Sequence, residues 1–158
     1  HLSVRRALPL LLVPVVLTAC GSGGGEKPAE TARLTQKQFV TQANQVCIDS
    51  DRRVFRLGDL STDPDGWTKT AQAARTGISV MAKLRPPEAR QDGFDAMLEQ
   101  ARKLADAIED VRDALKKNDL AAARAAQTRA TTLDTAIKKQ ASRLGLTFCE
   151  QLLTNWPA

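Results

Sequence analysis

At 158 residues the chain has the length of one domain, and with 42% hydrophobic and 26% charged residues it can bury a core. Aromatics make up only 4% and Tyr is absent, which argues against an all-β sandwich or barrel. The net charge of +5, which falls to +3 if residues 1–19 are removed as an export signal, is poor evidence for nucleic acid, and the single histidine, His1, all but excludes histidine-based acid–base, triad or metal chemistry.

Residues 1–19 read as an export signal, with Arg5 and Arg6 as its positive start. The apolar run Leu8–Leu17 (LPLLLVPVVL) falls well short of the roughly 20 residues that cross a bilayer. It ends in Leu17-Thr18-Ala19-Cys20, followed by Gly21-Ser22-Gly23-Gly24-Gly25. This tetrapeptide resembles the lipobox of bacterial lipoproteins, in which the cysteine thiol is diacylated and the chain is cut just before it. The resemblance implies lipidation of Cys20 and attachment to the extracytoplasmic face of the cell membrane. Residues 20–33, rich in Gly, Ser, Pro, Glu and Lys, form a tether of roughly 20 Å typical reach.

The domain, 34–158, opens at Thr35-x-x-Gln38, a capping box with Leu34 and Phe39 placed as its hydrophobic staple. Phe39, Ala43, Val46, Ser50, Val54 and Leu57 then recur at the helical period, and Gly58 ends the helix. Asp63-Pro64 supplies a cap and a first-turn proline for a second helix to Leu84, weakened in its middle by Gly77. Pro86-Pro87 breaks the chain. A long third helix follows to about Lys117, with Phe94, Leu98, Ala101, Leu104, Ile108, Val111 and Leu115 on one face.

Asn118-Asp119 is too short a connection for anything but an antiparallel return. The fourth helix carries Leu120, Ala123, Ala126, Ala130, Leu133, Ile137, Ala141 and Leu144 as its stripe and stops at Gly145. Its alanines predict close packing and little room for a cavity. Thr147-x-x-Glu150 reads as a second capping box opening a last short helix with Phe148 and Leu152. The expected fold is all-α: an antiparallel four-helix bundle with a short C-terminal helix stapled by a disulfide.

That staple is Cys47–Cys149, the even pair left once Cys20 takes lipid, in a domain expected to lie in an oxidising compartment. Closing a loop of about a hundred residues is worth up to about 4–5 kcal/mol by chain entropy. Two thiols without His or C-x-x-C spacing make a poor redox or metal site. Phe39, Ala43-Asn44, Cys47, the segment Leu84-Arg85-Pro86-Pro87 and the ending Leu144-Gly145-Leu146 with Cys149 resemble a group of small actinobacterial secreted or lipid-anchored helical-bundle lipoproteins. The resemblance spans residues 35–149 and rests on structural motifs. It implies an address and a fold, and assigns no activity or site residue.

Other signals are weak. Ser61–Gly66 mimics part of a calcium loop, but its twelfth position would be Gln72 where Glu is required. Asp49 and Asp51, two apart on a helix, do not converge as a hydrolase pair would. Arg52-Arg53, Lys116-Lys117 and Lys138-Lys139 read as solvated helix surface. Trp67 and Trp156 fit either as lids on the bundle or as exposed contacts.

The sequence therefore predicts a non-catalytic binding or interaction module at the cell envelope, without cofactor, metal or nucleic acid. Its expected partner is an envelope protein or cell-wall component, and its expected contact surface is the end of the bundle with Trp67, Lys116 and Lys117. The alternatives are a small-ligand or lipid carrier with a site in the bundle core and, behind it, an envelope enzyme.

Overall fold

A computed structural model of the chain describes residues 32–57 and 63–151. The expected signal segment, Cys20, the expected tether up to residue 31, Gly58, Ser61 and the tail with Leu152 and Trp156 lie outside the described residues. The elements are α1 (Gln36–Phe55), α2 (Pro64–Met81), a 3-10 turn (Glu88–Arg90), α3 (Gln91–Lys116), α4 (Leu120–Leu144) and α5 (Thr147–Gln151). No strand occurs among the described residues.

The helix ends follow the local chemistry. Thr35 Oγ1 accepts from the Gln38 N–H while Gln38 Oε1 accepts from the Thr35 N–H, closing the capping box that starts α1. Asp63 accepts from the N–H groups of Asp65 and Gly66 ahead of Pro64. α3 and α4 both end in Schellman geometry. Asp119 N–H reaches Ala114 O and Asn118 N–H reaches Leu115 O, and the same pattern joins Leu146 to Ala141 and Gly145 to Ser142. Gly145 (φ 77°) and Asn118 (φ 56°) take the left-handed position, Asn being the non-glycine residue that tolerates it best. Asp119 then caps α4 through the Ala122 N–H.

Two boundaries differ from expectation. α2 stops at Met81 rather than Leu84, because Arg85 precedes Pro86 and cannot continue a helix, and residues 82–84 tighten into short turns. α5 begins at Thr147 itself, so no Thr147–Glu150 capping box forms. Its Phe148 N–H is instead satisfied by Asn44 Oδ1 of α1, 3.1 Å away. Phe148 is 49% exposed and is not the packing residue expected.

Successive long helices run antiparallel. α3 lies against α2 and α4, while α1 lies against α2 and α5. Arg33 and Leu34 tie the entry of the domain to the α2–α3 connection through Pro86 O, Gln91 Oε1 and Arg85 O. The core has two parts. One gathers Phe39, Ala43 and Cys47 of α1 with Met81, Phe94, Leu98, Leu144 and Cys149. The rings of Phe39 and Phe94 meet edge to face there, 5.3 Å apart. The other is a three-helix layer of α2, α3 and α4 around Trp67, Ile108, Val111, Ala126 and Ala130, to which α1 adds nothing. The Cys47–Cys149 disulfide, with its Cα atoms 5.2 Å apart, joins α1 to α5 across a sequence separation of 102.

Candidate functional site

The structure separates the residues that the sequence placed together as a contact surface. Trp67 is fully buried (0% exposed), packed with Ala71, Leu104 and Ile108 in the three-helix layer, and offers no surface anchor. The reason is its position: Asp63 and Pro64 start α2 so that its first turn already faces α3, and burying so large a ring is the strongest apolar gain available there. Lys116 and Lys117 are exposed at the α3–α4 turn, as a solvated surface pair would be. The large apolar side chains left in solvent at that end are Phe55 (78%) and Leu120 (61%), the latter assigned by periodicity to the buried stripe of α4.

A different site lies in the middle of the molecule. The first half of α1 meets α4 through side chains, with Phe39 and Ala43 beside Ala141 and Leu144 and Gln36 Nε2 donating to Leu144 O at 3.4 Å. Past Cys47 no described residue of α1 joins either core cluster. α1 is held against α2 by the Ser50–Gly77 contact, where a Cβ on Gly77 would stand 2.4 Å from Ser50 Oγ. α4 is drawn instead onto α3 by Ala123, Ala126 and Ala130. The two outer helices part, and the gap is a half-open groove with a cavity of about 150 Å³.

All five α-helices contribute walls. Val46, Ser50, Asp51 and Val54 come from α1, and Thr70, Ala74, Gly77 and Ile78 from α2. Met97, Ala101 and Leu104 of α3 form the floor, and Asp134 and Ile137 of α4 face α1 across the seam. The disulfide closes one end, since Cys47 and Cys149 both line the groove. The walls are almost wholly hydrocarbon. An apolar void of this size lined by aliphatic side chains stays dry and accepts a benzene-sized guest in a well-studied engineered cavity.

The polar atoms of the groove are few. Ser50 Oγ donates to Val46 O at 2.8 Å and Thr70 Oγ1 donates to Gly66 O at 3.0 Å, so both hydroxyl protons are spent on their own helices. Asp134 pairs with Lys138 at 2.8 Å; burial raises its carboxyl above the usual range, and Lys138 opposes that shift. Asp51 is exposed, and its carboxylate makes no hydrogen bond or ion pair among the described residues. Its neighbour Asp49 faces away and meets Arg52 at 3.8 Å, so the two carboxylates do not converge. Among the described residues no group of three or more His, Cys, Asp or Glu side chains could hold a metal ion, and no helix is long and apolar enough to cross a membrane.

Sequence reasoning named Val46, Ser50 and Val54 as core stripe and Gly77 as a weak point, and missed that together they frame a groove. The available signal was Asp134, an acid set between Leu133 and Ile137 in the buried stripe of α4. The expectation of little internal room is corrected: the alanines do pack tightly, but against α3, and that displaces the empty volume to the side facing α1. No protein family, curated protein or solved structure matches the chain.

Proposed function

We propose that the protein is a non-catalytic, lipid-anchored binding bundle of the cell envelope whose binding element is the groove between α1 and α4, occupied by a small apolar or amphiphilic molecule. The observation that carries this reading is the cavity of about 150 Å³ with walls from all five α-helices, almost without polar atoms. It favours the carrier reading of the sequence over the contact-surface reading, whose aromatic anchor, Trp67, is buried. A guest entering such a space trades wet hydrocarbon for dry contacts, at about 25 cal/mol per Å² buried.

The test is binding of benzene, followed by amide shifts of Gly77 and Ala101 and by a rise in melting temperature. Ala101→Leu, which extends a half-buried floor residue into the space, should abolish both responses while the protein stays folded. Absence of binding by the wild type would end the groove reading.

The anchor is supported by Leu17-Thr18-Ala19-Cys20 alone. Mass spectrometry of the membrane-extracted protein should find a diacylglyceryl-modified Cys20 at the mature N-terminus, and Cys20→Ser should leave the precursor uncut. An unmodified Cys20 in the mature wild type would refute it.

A second reading keeps the interaction module. Exposed Phe55 and Leu120 share one end of the bundle with Lys116 and Lys117, a mixed apolar and basic surface suited to an acidic envelope protein. Crosslinking from position 55 in the native envelope tests it.

A further inference from the structure

We infer that the occupant of the groove is a hydrophobic cation, an aromatic or short aliphatic body ending in an ammonium group, and that Asp51 receives that group. The inference rests on the groove reading above and adds the chemistry of the ligand's polar end.

Among the described residues the walls hold acceptors and no free side-chain donor: Lys, Arg, His, Asn, Gln and Trp are all missing from that lining. The two hydroxyls that are present, Ser50 and Thr70, already give their protons to Val46 O and Gly66 O. The backbone N–H groups of the walls from α1 to α4 belong to helix interiors and are bonded along their own helices; Cys149, in the first turn of α5, is the exception. What remains toward a guest is a set of oxygen lone pairs and the charge of two carboxylates, Asp51 from α1 and Asp134 from α4. A carboxylate or phosphate headgroup would find no free side-chain donor among the described wall residues and would face the charge of Asp51 at the rim. A neutral body would be accepted but not oriented. An ammonium is matched.

The two acids are not equivalent. Asp134 is half-buried and already engaged by Lys138 at 2.8 Å, so its charge is largely answered within α4. Asp51 is exposed at the rim, and its carboxylate has no partner among the described residues. An amphiphile that buries its apolar body against Leu104 and Ile137 leaves its charged end in this rim, where water still solvates part of it. That is the arrangement in which a charged group costs least to bind.

The experiment compares three guests with the same ring, benzylammonium, benzyl alcohol and benzoate, titrated into the full chain and followed at the Gly77 and Ala101 amides. Benzylammonium should bind most tightly and benzoate least. Asp51→Asn should weaken benzylammonium about fivefold, as loss of a partly screened charge pair would, and leave benzyl alcohol unchanged. Asp134→Asn should have the smaller effect. Equal binding of the three guests, preference for benzoate, or an Asp51→Asn variant that still favours the cation would overturn the inference and leave the groove reading standing. Failure of all three guests would overturn both. Binding seen only after removal of residues 152–158 would overturn it by assigning the groove to the chain's own tail.

Discussion

At Gly77 two opposed effects meet on one atom. A helix-interior glycine is about 1 kcal/mol worse than alanine by propensity, so an exposed one would be improved by Gly77→Ala. Here the new Cβ would stand 2.4 Å from Ser50 Oγ and 3.3 Å from Ser50 Cβ, and Ser50 can move only by giving up its bond to Val46 O. We expect Gly77→Ala to lower stability by about 1–2 kcal/mol in chemical unfolding, the usual range for overpacking. Ser50→Ala, which deletes the closer atom, should recover most of that loss in the double variant, and simple additivity of the two changes would contradict the contact. Such positions were half legible. Thr35, Asp63, Asp119 and Gly145 announced their roles because caps and left-handed stops are decided within a few residues. Gly77 read only as a weakness, because its reason lies on another helix, and Asn44 gave no sign of capping a helix more than a hundred residues away.

Between elements, α2 and α3 are clamped on their wet side by Arg75, which reaches Glu109 at 2.8 Å and Asp106 at 2.9 Å. The hydrogen bond from Arg75 holds the Glu109 carboxyl below the usual range. Its folded value is therefore lower than its unfolded one, and the stability it contributes is present above the unfolded value and lost as pH falls through the folded one. Solvent screens the cluster, so the contribution stays under about 1 kcal/mol. Unfolding of the wild type and Glu109→Gln should differ at about pH 7 and converge at about pH 3 or in high salt; a difference that grows in acid would exclude the clamp. Asp134 works in the opposite sense. Burial raises its folded value, so its ionisation opposes folding as pH rises through that value. Helix number, order and direction were readable because each stripe repeats over several turns and each break carries Gly, Pro, Asn or Asp. The ends of α2 and α5 were less so, since Pro86 acts backward on Arg85 and Asn44 replaces a local cap.

For the molecule as a whole, the Cys47–Cys149 bond adds a covalent link to the packing that seats α1. The Trp67 layer of α2, α3 and α4 is complete without it, whereas the Phe39 cluster and one wall of the groove depend on α1. Cys47→Ser should lower the melting temperature by several degrees, given a chain-entropy contribution of at most about 4–5 kcal/mol. Amide exchange should quicken in α1 and α5 well before it does around Ile108. Uniform acceleration across the molecule would contradict this division. The groove was illegible in the sequence for the same reason. Stripes specify which face of a helix turns inward, but not that α4 leans toward α3 and away from α1.

This division also orders the assembly of the chain in time. Contacts within α2, α3 and α4 join neighbours along the sequence and close through short turns, the kind that form early. α1 can meet α2 earlier, through Ser50 and Gly77, but its links to α5 wait for residues about a hundred positions later: Asn44 for Phe148, Cys47 for Cys149. A chain emerging N-terminus first therefore carries α1, the first described helix, without its links to α5 until nearly the last described residues are free. During that interval the thiol of Cys47 stands open to any oxidase that meets the chain, and the first described helix is the last to be cross-linked.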